Sequence, residues 1–459
     1  MLPESGSAGD QGSRLPRRRR WSSDPGVFSA VVAPRRRLRL GATFSSRRGA
    51  SHRPSHVDGS WFRASAVVLV AAVLTAGCSA ASTGTQRSAP AAAAGDPVRL
   101  AGVCPGRIVV QGGWYPTADI ALPFQLLGAD WKVDATRKRL SGSLVADGRD
   151  TGVDVEFRSG GPATGFQTGP AVAYTDRAVT LAFTNLDEMI GVSAKLPMQA
   201  VIAPLNGEPQ VLIWDPVTYP TFGSVQDIGQ TDTRVVYSAN ASTVFGYLTG
   251  TGILRASQLD ASYDGSPSRF VAARGKVVVQ GYATNEPHLY EALPAWGRPV
   301  RYALIQDTGY PNYAGMLAVR TGDRGRLDGC LRRLVPILQR AQVAFLADPG
   351  PALDRIVRAV AAFRAGFSYD RATAEYGACQ LAGLGLVSNP IDGVAGSVDV
   401  SKVRRMLAIT TPVLTANRTP PRPGLTPTDL VTTDYLDRGL SLPARPALRG
   451  IRCTRTPTD

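Results

Sequence analysis

The stretch Arg107-Ile-Val-Val-Gln-Gly-Gly-Trp-Tyr-Pro-Thr-Ala118 decides the fold of this chain. Its short run of apolar, β-branched residues ends at a Gly-Gly pair, which predicts a buried strand that closes at Gln111. Residues 118–128 then show helical spacing. A strand followed at once by a helix is the repeating unit of α/β folds, in which crossover helices connect parallel strands.

The same rhythm continues on both sides of this stretch. Further strands are predicted at Val153–Phe157, Val179–Phe183, Gln199–Pro204, Gln210–Trp214, Arg234–Ser238, Lys276–Gln280, Tyr302–Ile305 and Met316–Val319. Helical patterns separate several of them, and residues 326–367 are predicted to be helical throughout. Ligands of such sheets bind outside the carboxyl ends of the strands, so the residues that follow each strand are the candidates for a binding site.

Length and charge limit the classes of function. The 459 residues are 44% hydrophobic, enough for a large two-lobed body. The net charge of +15 is uneven, since residues 1–77 hold 13 Arg, no Lys and four acidic residues, leaving +6 elsewhere. Residues 1–60 lack apolar periodicity and are predicted to be a disordered leader rather than a nucleic-acid arm, with a misassigned translation start as the alternative. No nucleic-acid partner is expected.

An export signal follows the leader. Arg63 precedes the apolar run Ala64–Leu74, which suits residues 61–77 as a signal peptide. The run ends in Leu74-Thr-Ala-Gly-Cys78, a pattern typical of a lipobox, in which Cys78 carries diacylglycerol and palmitate. Residues 78–103 are predicted to be the lipidated Cys with a flexible tether. The expected location is the extracytoplasmic face of the cell membrane, although an ordinary cleaved signal with an unrelated Cys is the alternative.

Export places the remaining cysteines, Cys104, Cys330, Cys379 and Cys453, where disulfides persist. Four cysteines allow three pairings, of which we favour Cys330–Cys379 and Cys104–Cys453. The region after Cys78 has one histidine, His288, and no Cys-x-x-Cys, so no metal site and no cofactor are predicted.

Several motifs resemble one known family. They are Trp114–Ala118, Leu212–Pro216, Val278–Pro287 with Tyr290, Trp296–Val300 and Asp307–Tyr310. In this order, over residues 105–415, the chain resembles the type II periplasmic binding proteins of the nitrate/sulfonate/taurine and pyrimidine-precursor group, which serve ABC importers.

The resemblance implies a two-lobed α/β fold with two parallel-type mixed sheets and a hinge. Lobe one would comprise residues 104–200 and 305–459, including a C-terminal helical extension, and lobe two residues 201–304. The hinges would lie near Ala203-Pro204 and Ile305-Gln306. A monomer that passes a small solute to permease and ATPase subunits is the implied function.

Residues that follow the predicted strands are the candidates for solute contact. They are Trp114, Tyr115, Ser159, Gly160, Gly161, Asn185, Asp187, Ser238, Asn240, Ser242, Thr243, Tyr282, Asn285, Glu286, Asp307 and Tyr310. Purely structural roles compete: Trp114 as a core aromatic, the Ser159-Gly-Gly segment as a turn, and the Asn185 and Ser238 groups as helix caps. The mix of aromatic rings, amides and hydroxyls favours a planar, polar organic solute.

Other functional classes remain open. No Gly-x-Ser-x-Gly is present after Cys78, and His288 is its one histidine, so a hydrolase lacks its base. A glycosidase with paired carboxylates is harder to exclude, because Asp and Glu are abundant. A ligand-sensing surface lipoprotein of the same fold is the third class. The motifs hold few basic residues, Arg158 and Arg298, which favours a neutral or weakly charged solute.

Overall fold

The structure, a computed structural model, describes residues 89–453. The Arg-rich leader, the signal peptide and Cys78 lie outside the described residues, and the predictions made for them stay predictions. Residues 89–103, the last part of the predicted tether, pack on the first lobe. The backbone N–H of Ala92 donates to the Asp150 carbonyl at 2.8 Å, and Val98 and Leu100 are buried because their apolar side chains join the core.

Two sheets organise the described chain. The strands are β1 (Arg107–Gln111), β2 (Lys132–Asp134), β3 (Arg139–Ala146), β4 (Arg149–Arg158), β5 (Leu181–Thr184), β6 (Met198–Ile202), β7 (Gln210–Trp214), β8 (Val235–Val236), β9 (Leu259–Asp260), β10 (Val278–Tyr282), β11 (Arg301–Leu304) and β12 (Met316–Arg320). The larger sheet, in lobe one, has the order β2-β3-β4-β1-β5-β12-β6. The smaller sheet, in lobe two, has the order β11-β7-β10-β8-β9.

Each sheet contains parallel strands with one antiparallel strand inserted among them, and the larger sheet has a further antiparallel strand, β3, beside β4. In lobe one, β1 runs parallel to β4 and β5, while β12 lies antiparallel between β5 and β6. In lobe two, β8 runs parallel to β9 and β10, while β7 lies antiparallel between β10 and β11. Both inserted strands come directly after a segment that crosses between lobes, residues 203–209 and 305–315. The predicted fold class, two-lobed α/β with two mixed sheets, is thereby confirmed.

Helices cover the sheets. They are α1 (Leu122–Gln125), α2 (Gly169–Thr175), α3 (Leu186–Val192), α4 (Val225–Gly229), α5 (Ser242–Gly250), α6 (Ser268–Ala272), α7 (Glu286–Ala292), α8 (Arg324–Ala347), α9 (Gly350–Phe363), α10 (Arg371–Gly383), α11 (Val400–Ala416) and α12 (Pro427–Leu430). In the described part, no helix combines the length and the apolar character that crossing a membrane requires.

Helix α11 connects the two lobes away from the crossing segments. It packs on α3 of lobe one and on α5 of lobe two. The approach to α5 is close, since a Cβ added to Gly246 would lie 2.5 Å from a methyl of Val413. On the other side, Leu414 lies against Gly191 of α3. One amphipathic helix therefore buries apolar side chains against both lobes.

A hairpin extends the larger sheet beyond what the sequence predicts. The strand predicted at Val153–Phe157 is the second half of β4, and β3 pairs with it in an antiparallel register. The turn between them is Asp147-Gly148, both with positive φ (51° and 73°). An Asp-Gly pair is the preferred sequence for such a two-residue turn, so the signal was present although the alternation of β3 is weak.

The predicted disulfide pairing is wrong. The structure joins Cys104 to Cys330 and Cys379 to Cys453, with Cα–Cα distances of 4.6 and 5.4 Å. Helix α10, which carries Cys379, packs more extensively on α9 than on α8, the helix that carries Cys330. Cys330 instead faces the segment before β1, where the Arg333 guanidinium also donates to the Arg99 carbonyl at 3.0 Å.

Candidate functional site

A cavity lies between the two lobes at the carboxyl ends of their strands. It encloses about 480 Å³, within the range of pockets that hold small organic molecules. Lobe one contributes the residues after β1 and β5, and lobe two contributes those after β8 and β10. This is where α/β sheets place ligands, because strand ends, loops and helix starts converge there.

Eleven of the sixteen candidate residues line this cavity. They are Trp114, Gly161, Asn185, Asp187, Ser238, Asn240, Ser242, Thr243, Tyr282, Asn285 and Glu286. The structure thus brings together residues that are up to 172 positions apart in the sequence. Whether each of them contacts a solute stays a prediction.

The other five candidates lie outside the cavity wall. Tyr115 is buried and stacks on Phe367, with ring centroids 5.4 Å apart. Ser159 and Gly160 belong to a tight crossing of two loops, where a Cβ on Gly160 would come within 2.2 Å of the Gly112 carbonyl oxygen. Asp307 is exposed to solvent, and Tyr310 is buried.

Trp114 forms an aromatic wall that reaches from one lobe to the other. Its ring lies 6.1 Å from that of Phe166 and 6.5 Å from that of Phe367. A Cβ added to Gly161 of lobe one would lie 2.4 Å from the indole, and one added to Gly265 of lobe two would lie 2.7 Å from it. The indole is therefore wedged between two glycines on opposite sides of the cleft.

A hydrogen bond also spans the cleft. The side-chain amide of Asn240 in lobe two donates to the Phe166 carbonyl of lobe one at 3.2 Å. Asn240 precedes α5, and Phe166 lies in the loop before α2. Together with the indole contact to Gly265, this hydrogen bond brings the lobes into direct contact at one side of the cavity.

The lobe-two wall is built from amides and one carboxylate held in place by hydrogen bonds. Gln280 accepts from the Ser238 backbone N–H at 2.8 Å and donates to Gln210 at 3.2 Å. Glu286 accepts from the Tyr282 backbone N–H at 2.6 Å and from the Asn285 amide at 3.1 Å. Burial raises the pKa of Glu286, and the nearby Asp119 carboxylate adds to the rise.

A buried hydrogen-bond network connects the cavity wall to both crossing segments. Asn312 donates to Asp187 at 3.1 Å and to Glu208 at 2.7 Å, and it accepts from the Asp187 backbone N–H at 3.2 Å. The Tyr310 hydroxyl donates to the second oxygen of Asp187 at 2.8 Å. Burial raises the pKa of Asp187, and it raises that of Glu208 to about 8. The role of Tyr310 is thus to hold Asp187.

Acidic residues dominate the charge of the cavity wall. Asp119, Asp187, Glu188, Asp264 and Glu286 line it, whereas none of the described residues that line it is Lys, Arg or His. Burial raises the pKa of Asp119 and raises that of Glu188 to about 7. Arg158 and Arg298, the basic residues of the motifs, pair instead with Asp176 at 2.6 Å and Asp215 at 2.8 Å, outside the lining.

Sequence patterns missed three of these five carboxylates. Asp119 follows Thr117-Ala118 only five residues after Trp114, so its position after β1 was a usable signal. Glu188 lies one residue beyond Asp187, in the first turn of α3, and resembles an ordinary capping acid. Asp264 comes from an irregular loop that lacks any periodicity, and nothing in the sequence indicates that this loop returns to Trp114.

Among known proteins, only solved structures align with this chain in the comparisons made. No family model matches the chain, and no curated protein matches it. Among solved structures, the alkanesulfonate-binding protein of Xanthomonas axonopodis pv. citri bound to MOPS aligns with a TM-score of 0.47 at 11% identity, covering 72% of this chain and 99% of that one.

Two further structures are similar to the same extent. A zinc-bound ligand-binding component of an ABC-type import system from Staphylococcus aureus has a TM-score of 0.46 at 12% identity, covering 72% of this chain and 99% of that one. The periplasmic aliphatic sulphonate-binding protein of Escherichia coli has a TM-score of 0.45 at 13% identity, covering 78% and 98%. The fold class of this chain rests on its own strand order and its two crossing segments.

Proposed function

We propose that this protein is the extracytoplasmic solute-binding lipoprotein of an ABC importer. It captures a small, polar organic solute between its lobes and presents it to a membrane permease. The observation that carries the proposal is the cavity of about 480 Å³ at the strand ends of two lobes that two crossing segments connect. In such an arrangement, rotation about the crossing segments opens and closes the site, and solute contacts with both lobes favour the closed state.

Binding rather than catalysis fits the chemistry of the cavity wall. Its aromatic rings, amides and carboxylates can enclose and orient a solute. Asp187 is held by Tyr310 and Asn312, and Glu286 is held by Asn285 and a backbone N–H, so both carboxylates have fixed partners. This is the arrangement expected of a preformed binding wall.

A thermal-shift screen against a library of metabolites tests the proposed function. A solute that binds the folded protein raises its melting temperature as the concentration passes the dissociation constant. We expect at least one small polar compound to stabilise the protein and Trp114→Ala to remove most of that stabilisation while the unliganded variant remains folded. A protein that no library member stabilises, or an unchanged affinity in Trp114→Ala, would contradict the proposal.

The membrane attachment is tested separately at Cys78. Because the thiol of this residue is the proposed acceptor of the lipid, Cys78→Ser is expected to move the protein from the membrane fraction to the soluble fraction. Fractionation with immunodetection measures this, and Ser79→Ala, which changes the next residue and keeps the Cys78 thiol, serves as the control. Membrane association that persists in Cys78→Ser argues against a lipid anchor at this residue.

A further inference from the structure

The cavity carries a charge imbalance that no described side chain offsets. Asp119, Asp187, Glu188 and Glu286 line it, and none of the four forms a salt bridge with a described Lys or Arg. Carboxylates that leave water without an opposite charge beside them are costly to ionise. The raised pKa values of all four follow from their burial. A positively charged solute would supply the missing opposite charge.

Two of these carboxylates come from opposite lobes. Asp119 lies after β1 in lobe one, and Glu286 begins α7 in lobe two. They are close enough for the charge of Asp119 to act on Glu286. Like charges facing each other oppose closure of the cleft, whereas a cation between them attracts both walls. The charge of the solute would therefore favour the closed state directly.

Unused hydrogen-bond acceptors on the cavity wall are an independent indication. Asn285 is 7% exposed and its Oδ1 has no partner, while its Nδ2 donates to Glu286 and so fixes the orientation of the amide. Thr284, 1% exposed, has an unpartnered hydroxyl oxygen. Buried polar atoms normally find partners, so an unpaired carbonyl oxygen at a cavity wall calls for a ligand that donates hydrogen bonds.

The aromatic side chains and the size of the cavity indicate that the solute is an organic molecule. Trp114, Tyr263, Tyr282, Phe166 and Phe367 line the same cavity, and the faces of such rings attract cations. The volume of about 480 Å³ is many times the ~30 Å³ share of one water molecule. An organic molecule fills this space, whereas a bare ion does not.

We propose that the solute is an organic cation, such as an amine, an amidine or a quaternary ring compound. It lies between Asp119 and Glu286, beside Trp114, and it donates hydrogen bonds to Asn285 where it carries N–H groups. This assignment rests on the proposed solute-binding function and adds the charge class of the solute to it.

The start of α5 is an opposing feature of the wall. Ser242 and Thr243 line the cavity at the first turn of this helix, where backbone dipoles amount to about half a positive charge. That partial charge favours an anionic group, but it faces a larger number of carboxylates. The carboxylates therefore determine the expected charge of the solute.

Matched series of planar compounds test the charge. In the first series, 1-methylnicotinamide is a permanent cation, nicotinamide is neutral and nicotinate is an anion; benzamidine, benzamide and benzoate form a second series. Thermal shift at about 10 mM detects even millimolar dissociation constants. We expect the cation of at least one series to bind about tenfold or more tightly than its neutral and anionic counterparts.

Substitutions that remove one charge complete the test. Asp119→Asn is expected to weaken binding of the cation about tenfold and to weaken any binding of nicotinamide or benzamide clearly less. Asp232→Asn, which removes an equal charge from a fully exposed side chain of lobe two, should change neither. Circular dichroism melting confirms that both variants are folded.

The outcomes separate the two proposals. Preferred binding of a neutral or anionic compound, an unchanged affinity in Asp119→Asn, or no response to any cation overturns the charge assignment. If another library compound still binds in the cavity, the solute-binding function stands. If no compound of any charge binds, both proposals fail.

Discussion

Replacing Asn312 with leucine is expected to lower the free energy of unfolding by about 3 kcal/mol or more at pH 8. Asn312 is 1% exposed, and its amide donates to the buried carboxylates of Asp187 and Glu208 while accepting a backbone N–H. Leucine has a similar volume but offers none of these hydrogen bonds. The loss of stability therefore reports the cost of leaving two buried carboxylates without a hydrogen-bond donor, rather than the cost of a packing defect.

The pH dependence of this effect has a definite sign. Burial raises the pKa of Glu208 from 4.5 to about 8, so its contribution to stability is fully present below about pH 4.5 and is lost as the pH rises through 8. Asn312 lowers the pKa values of Glu208 and Asp187, and its removal raises them further. We expect the cost of Asn312→Leu to be larger at pH 8 than at pH 5.

Urea denaturation at both pH values measures this difference. The titratable groups that face the site include Asp187, Glu188, Glu208, Tyr282, Tyr310 and Lys402. Tyr310→Phe is the matched control, since it removes a single hydroxyl donor to Asp187 and should cost about 1–2 kcal/mol. Equal losses for Asn312→Leu at pH 5 and pH 8 would show that the network does not couple to ionisation.

Substituting Gly265 with alanine is expected to hold the cleft open and to weaken solute binding about tenfold or more. The added Cβ would lie 2.7 Å from the indole of Trp114, whereas carbon atoms normally approach to about 3.5–4.0 Å. The indole cannot retreat, because Gly161 and the rings of Phe166 and Phe367 enclose its other sides. Lobe two must therefore move away.

Gly252→Ala separates this steric effect from backbone strain. Both glycines have positive φ, 85° at Gly265 and 74° at Gly252, so alanine costs about 1–2 kcal/mol of conformational energy at either site. A Cβ at Gly252, however, meets nothing within 4 Å. Small-angle scattering should show a larger radius of gyration for Gly265→Ala only. If both variants have the same radius of gyration and the same solute affinity, the contact between Gly265 and the indole plays no part in closing the cleft.

The repeating strand pattern of the sequence predicted the fold because fully buried strands have a strong local signature. Gln210–Trp214 is wholly buried, and the structure places a strand at the predicted residues. The disulfide pairing was not predictable in this way. It depends on which helices are neighbours, and the packing of α10 on α9 follows from long-range contacts rather than from spacing.

Residues shortly after a strand were the easier part of the cavity wall to anticipate, whereas residues of irregular loops that return to the site carry no such signal. Asn285 and Glu286 follow β10, and both line the cavity. Asp264 and Phe367 line it as well, although neither lies next to a strand. Tyr115 faces the core because it is next to Trp114, and adjacent residues point to different sides. Only tertiary structure decides which of the two rings reaches the cleft.

The position of β12 in the sequence determines the order in which the two lobes can fold during synthesis. This strand is the link between β5 and β6, yet it begins at Met316, after all five strands of lobe two. In a nascent chain that ends before Met316, β6 is not joined to the other five strands of the larger sheet. The lobe that begins first must therefore be completed last, and a truncated product leaves two unpaired strand edges exposed to aggregation.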